Sequence, residues 1–186
     1  MRLGLISDTH IPTAGKEPPP QVVTAFQGVD MIFHAGDLYA PSVIEWLAQI
    51  APVKVSDSQY GAPREGASRV NSPMVVEVEG HTIGLVHALI IPGMTDDAMP
   101  GKIAKLWPPR LSFPDALEKI FGRPVDIIVT GYTHVPMIEE HFGVLIVNSG
   151  SPSMVGQTPK LGTVAILEVT PGKREATIVS LADVRE

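Results

Sequence analysis

Cysteine is missing from all 186 residues, which removes disulfide bridges and thiolate chemistry and fits a cytoplasmic protein. Positive charge is scarce as well: 14 Lys and Arg stand against 20 Asp and Glu, for a net charge of −6. That balance leaves no electrostatic footprint for nucleic acid or for an anionic membrane surface. An anionic substrate would need a local positive charge, and a bound metal is the obvious source. Long apolar runs are lacking too. The most hydrophobic stretch, residues 82–94, is broken by His87 and Pro92 and falls short of the ~20 residues that cross a bilayer. The first residues read directly as a core strand, so no secretory leader is expected. There is no internal repeat, low-complexity tract or linker. With 44% hydrophobic and 18% charged residues, the chain reads as one domain over 1–186.

What is present begins with a short apolar strand, Leu3 to Ile6, that runs into Ser7-Asp8-Thr9-His10. In an extended chain Asp8 and His10 would share one face. A proline-rich loop follows, then a short helix over Gln21–Phe26 and a strand at Met31–Phe33 ending in His34-Ala35-Gly36-Asp37. Pro41 opens a helix to about Ile50, and Val53–Val55 is the next strand. Strand–helix–strand alternation of this kind predicts parallel strands with right-handed crossovers. Hairpins are expected at Met74–Glu79 with His81–Val86, at Met137–His141 with Val144–Val147, and at 162–169 with 175–181. Between them, 88–111 lacks clear periodicity and reads as a lid or mobile segment. A helix starting near Ser112 or Phe113 and stopped by Gly122 leads to a buried strand, Val125–Thr130.

Four strand ends carry residues able to ligate a metal: Asp8 with His10, Asp37, His87 and His134. α/β sheets gather their ligands at the carboxyl ends of strands. Mixed carboxylate and imidazole donors suit borderline divalent metals such as manganese, zinc and iron. His34 is a candidate for holding a ligand by hydrogen bond, with simple packing as the alternative. His81 and His141, at hairpin turns, read as surface residues. Gly36, Gly131 and Gly150 fit tight turns that bring backbone close to the site.

Taken in order, Asp8-Thr9-His10, Gly36-Asp37, the segment 55–60, Leu85-Val86-His87, Gly131-Tyr132-Thr133-His134 and Asn148-Ser149-Gly150-Ser151 resemble the motifs of the calcineurin-like metallophosphoesterases. The length is similar to that of the family's small phosphodiesterases. The resemblance implies an α/β (α+β) fold: a four-layer α/β/β/α sandwich, two mixed sheets flanked by helices. It also implies a two-metal centre that hydrolyses phosphoester bonds. Residue by residue, the first metal would be held by Asp8, His10, Asp37 and His134. The second would share Asp37 and use His87, an asparagine and a further histidine. Here Asp57-Ser58 stands where the family has Gly-Asn, and Tyr132 replaces the first histidine of Gly-His-x-His. The expectation is therefore one tight site and a weak second, with Asp57 or Ser58 as substitute ligands. Manganese is the first choice of metal, with zinc, iron or nickel as alternatives. Asp37, His87 and Tyr132 are the candidate catalytic groups, Tyr132 or His87 serving as general acid. The substrate would be a small phosphoester; neither nucleic acid nor membrane is expected as partner, and a homo-oligomer is left open. The alternative is a catalytically degenerate scaffold that binds a partner, with 88–111 as a contact surface.

Overall fold

In the computed structural model, residues 1–56 and 73–185 are described; Asp57 and Ser58 lie outside them. Strands β1 (Arg2–Ile6) and β2 (Met31–His34) pair in parallel, and β3 (Val53–Val55) extends the sheet beside β2. Two helices bridge them: α1 (Gln21–Ala25) and α2 (Ser42–Ala48), each preceded by a proline whose fixed φ suits a helix start. The chain's last hairpin, β11 (Thr163–Thr170) and β12 (Lys173–Ser180), adds antiparallel strands on the other side of β1. The order is β12-β11-β1-β2-β3.

The second five-stranded sheet is assembled the same way. Strands β4 (Met74–Val78) and β5 (His81–Leu85) form a hairpin, and β6 (Ile127–Thr130) lies parallel to β5. Strands β7 (Met137–His141) and β8 (Val144–Asn148) close it in the order β4-β5-β6-β8-β7. A two-stranded ribbon of β9 (Met154–Val155) and β10 (Thr158–Pro159) was not anticipated from the sequence. Both large sheets are mixed, as expected.

Alternation along the strands divides the apolar side chains between layers. Leu3, Leu5 and Phe33 meet Leu85, Ile127, Val129 and Val147 in the central core between the sheets. Their neighbours Ile6 and Ile32 face outward onto Val22, Phe26 and Leu47 of the first helical layer. On the other outer face, Ile128 and Ile146 pack against Phe113 and Leu117 of α4 (Phe113–Phe121). Each fully buried aliphatic side chain stabilises by about 1.5–3 kcal/mol. Ser112 caps α4 by accepting the Asp115 N–H at 3.2 Å, and Gly122, at φ 73°, ends it.

Segment 88–111 departs from expectation. It contains a short helix, α3 (Lys102–Leu106), and buries Leu89, Ile91, Ala98 and Ile103 in the outer core. Four prolines break its periodicity, which hides an anchored segment behind a loop-like sequence. Glu139 on β7 fastens it further by accepting the Gly101 N–H at 2.6 Å. His81 is also corrected. It is buried, with Nδ1 2.5 Å from Asp126 Oδ2 and Nε2 3.0 Å from the Thr170 carbonyl, so it joins β5 to the loop before β6 and to the β11–β12 turn. His141 is only half-buried, and its Nε2 lies 2.6 Å from Glu139. No helix among the described residues is long and apolar enough to cross a membrane.

Candidate metal centre

The parallel pairs β1–β2 and β5–β6 end together, one pair from each sheet, and their C-terminal loops meet. Asp8 and His10 follow β1, Asp37 follows β2, His87 follows β5 and His134 follows β6. Ligand-capable atoms converge there in two triads, Asp8–His10–His134 and Asp8–Asp37–His87, each with its donor atoms within 4.8 Å of one another. Asp8 is fully buried, and the three histidines are nearly so. The Nε2 atoms of His10 and His134 are 3.0 Å apart, and His134 Nε2 is 3.5 Å from Asp8 Oδ1. Asp37 Oδ2 stands between the triads, 3.5 Å from His10 Nε2 and 3.8 Å from His87 Nε2.

Extended geometry is not what aligns Asp8 with His10. Strand β1 stops at Ile6, and both residues adopt left-handed φ, 54° and 51°. Asp37 (60°), Tyr132 (72°) and His134 (57°) do the same. Non-glycine residues held there cost about 1–3 kcal/mol each and persist only where surroundings enforce them. The enforcing bonds are identifiable. The Asp8 N–H donates to the Gly36 carbonyl and the His10 N–H to the Asp37 carbonyl, at 2.9 and 3.0 Å. The Tyr132 N–H donates to both Asp8 carboxylate oxygens, at 3.2 and 3.0 Å. Two glycines permit this crowding. A Cβ on Gly131 would lie 2.6 Å from Asp8 Oδ2, and one on Gly36 would lie 2.8 Å from His87.

A further layer of bonds orients the donors, as around bound metals generally. His87 Nδ1 donates to the Ala35 carbonyl at 2.8 Å, which leaves its Nε2 lone pair facing the two aspartates. Asn148 donates to Gly131 O and Thr133 Oγ1 and accepts the Gly150 N–H, holding the His134 loop. Ser151 Oγ donates to the Asp8 carbonyl at 2.7 Å. His34 accepts the Gly36 N–H on Nδ1, which places its proton on Nε2, 3.3 Å from Thr9 Oγ1. It braces two ligand loops and is not itself a donor to the centre. Burial drives the His34 pKa down to about 3, so the ring is neutral. Burial also lowers that of His10, with Asp37 and Asp8 opposing.

Imidazole and carboxylate groups aimed at one point, with no Lys or Arg among the described residues there, fit a divalent cation. Of the residues named from sequence, Asp8, His10, Asp37, His87 and His134 are brought together. Tyr132 joins by its backbone, while its half-exposed ring stands edge-on to His87 at 5.6 Å between centroids. Tyr39 was missed. Its ring stands edge-on to His10 at 4.8 Å, with φ 64°. Neither its residue type nor its spacing marks it in the sequence.

Residues 1–172 match the calcineurin-like phosphoesterase superfamily domain. The chain belongs to the calcineurin-like phosphoesterase superfamily. A probable metallophosphoesterase of Methanothermobacter thermautotrophicus is 31% identical over 96% of this chain and 92% of its own. Among solved structures, zinc-complexed wild-type Vps29 from Entamoeba histolytica superposes with a TM-score of 0.63 at 20% identity, over 97% of this chain and 99% of that one. An archaeal phosphodiesterase gives 0.61 at 18%, over 96% and 100%. These two likenesses concern the fold. As a superfamily member, the chain has a phosphoesterase scaffold with a candidate divalent-metal centre.

Proposed function

We propose that this phosphoesterase-superfamily chain is a metal-dependent phosphodiesterase acting on a small phosphoester. The observation that carries the reading is the pair of donor triads joined through Asp8, with Asp37 Oδ2 between them. Asp8, His10, Asp37 and His134 hold the first cation, and Asp37 with His87 supports a second. Manganese is the proposed metal, with zinc, iron or nickel as alternatives. When bound, such cations acidify water and withdraw charge from phosphoryl oxygens. The protein's own contribution is placement: the left-handed loops fix the carboxylates, and the Ala35 carbonyl fixes the His87 tautomer. Tyr132, whose ring stands edge-on to His87, gives a proton to the departing alcohol in this reading, with His87 as the alternative donor. With a net charge of −6 the chain exerts no overall attraction on an anionic substrate, and the cations would supply it locally. A cytoplasmic location is proposed from the lack of cysteine.

A degenerate scaffold that binds a protein partner is the second reading, favoured by the Vps29 likeness and by Tyr132 and Ser58 at altered positions. Hydrolysis of bis(p-nitrophenyl) phosphate with excess manganese separates the two. The phosphodiesterase reading expects metal-dependent turnover that Asp37→Asn reduces by about 100-fold or more, the range for losing one key electrostatic group. Metal-independent turnover, or none, contradicts it.

A further inference from the structure

A cleft of about 250 Å³ neighbours the centre, lined by Ala88, which follows His87, and by Gly131 and Tyr132, which precede His134. Gly131 and Tyr132 form the wall nearest the donors, and the Tyr132 N–H is bonded to Asp8. The facing wall comes from segment 88–98, with Leu89, Ile91 and Ala98 rooted in the outer core. That anchoring makes the cleft a fixed feature, not the product of a floppy loop. Its rim carries Asp96 and Asp97, and among the described residues no lysine or arginine lines it. Lys102 pairs with Asp96 at 3.0 Å, which leaves Asp97 as the rim acid with no ion pair among the described residues.

We propose that this cleft receives the alcohol arm of the phosphoester and selects a compact arm with an apolar body and a positive charge. The proposal rests on the phosphodiesterase reading, since the donors must hold the phosphate for the arm to reach the cleft. Size sets the first limit. A cavity of ~150 Å³ accepts a benzene molecule, so this one takes a single substituted ring or short branched chain and excludes a dinucleotide step. Charge sets the second. Asp97 repels an anionic arm, and the half-exposed aromatic ring of Tyr132 in the cleft wall attracts an ammonium. Because the acids are exposed and screened, the preference amounts to several-fold, not orders of magnitude.

The probes are benzyltrimethylammonium and phenylacetate, titrated into zinc-loaded protein and followed by amide chemical shifts. The cation is expected to move resonances within 88–98 and 130–133 and to bind at least about threefold tighter than the anion, the scale of one exposed charge contact. Asp97→Asn, an exposed substitution that leaves the metal donors intact, is expected to erase the difference. Equal affinities, or shifts confined elsewhere, overturn the proposal. In parallel, methyl aryl phosphates carrying a para-trimethylammonio or a para-carboxylate group are compared by kcat/KM, with the cationic ester favoured. Turnover without that preference also overturns the proposal and leaves the hydrolase standing. Selective binding in the cleft with no turnover of either ester overturns the hydrolase reading and leaves the cleft's selectivity standing.

Discussion

His10 and His134, 124 residues apart, bring their Nε2 atoms to 3.0 Å. A hydrogen bond there satisfies one lone pair by protonating the other nitrogen, whereas a cation satisfies both. Among the described residues the buried Nδ1 of His134 has no hydrogen-bond partner, so Nε2 is the ring nitrogen that faces the other donors. His134→Ala is therefore expected to weaken divalent-metal binding by more than the roughly 10–100-fold that loss of an outer partner costs. Calorimetric titration of manganese into chelator-treated protein measures it; an unchanged affinity removes His134 from the centre.

Gly131 is predicted to be intolerant of even one added methyl group. Its Cβ would meet Asp8 Oδ2 at 2.6 Å and Ser7 Cβ at 2.7 Å, both fixed in the core. Overpacking of this kind costs about 1–3 kcal/mol, and relief by moving Asp8 disturbs both triads. Gly143→Ala is the control, since a Cβ there meets nothing within 4 Å, although its φ of 79° carries its own penalty. Urea unfolding should show the larger loss for Gly131→Ala, together with reduced metal affinity. Equal losses and normal metal binding would show that the Asp8 contact has slack.

Two buried histidines shape the pH dependence of the metal-free protein in opposite directions. His34, held neutral with a pKa near 3, is protonated in the unfolded chain below pH 6.5 but not in the folded one. Its contribution therefore reduces stability as pH falls, by about 1.4 kcal/mol per unit between those values. His81 is raised by its hydrogen bond to Asp126, against the effect of burial. Its stabilisation is complete below pH 6.5 and is lost as pH rises through the raised value. The stability gap between wild type and His81→Gln should shrink above pH 6.5. The His34 ring resonance should stay untitrated down to pH 4 while the protein remains folded. A gap that widens with pH, or a His34 midpoint near 6, refutes the respective assignment.

Tyr132 and Ser58 stand where relatives are expected to place metal ligands. A phenol must lose a proton with pKa near 10 before it binds a cation strongly, whereas neutral imidazole is ready at pH 7. The wild-type chain is expected to bind one cation tightly and a second at least tenfold more weakly. Tyr132→His combined with Ser58→Asn should raise metal occupancy toward two, read by elemental analysis. Two equally tight sites in the wild type would show that Tyr132, or Asp57 nearby, already coordinates.

The buried strands, and the ligand-type residues at their ends that cluster in the fold, were legible from local signals, whereas the two-sheet layering followed from the family resemblance. Short apolar runs at Leu3–Ile6 and Ile127–Thr130 announce buried strands, and a ligand-type residue follows each strand that leads to the centre. The bracing was less visible. Asn148 and Ser151 were recognised as a motif, but their bonds to the Gly131 carbonyl and to Asp8 span loops that only the tertiary fold joins. Left-handed φ at Asp8, His10 and His134 left no mark either, since nothing in their side chains forces that conformation. His81 was misread for a related reason. A hairpin turn is ordinarily exposed, and only the approach of Thr170 from the other sheet buries this one.

Metal content per chain tests the account most directly. Protein purified without chelator and dialysed against manganese should carry at least one equivalent by elemental analysis, and Asp37→Ala, prepared identically, should carry far less while remaining folded by circular dichroism. Asp37→Ala protein that retains the wild-type metal content would contradict the assignment of the centre.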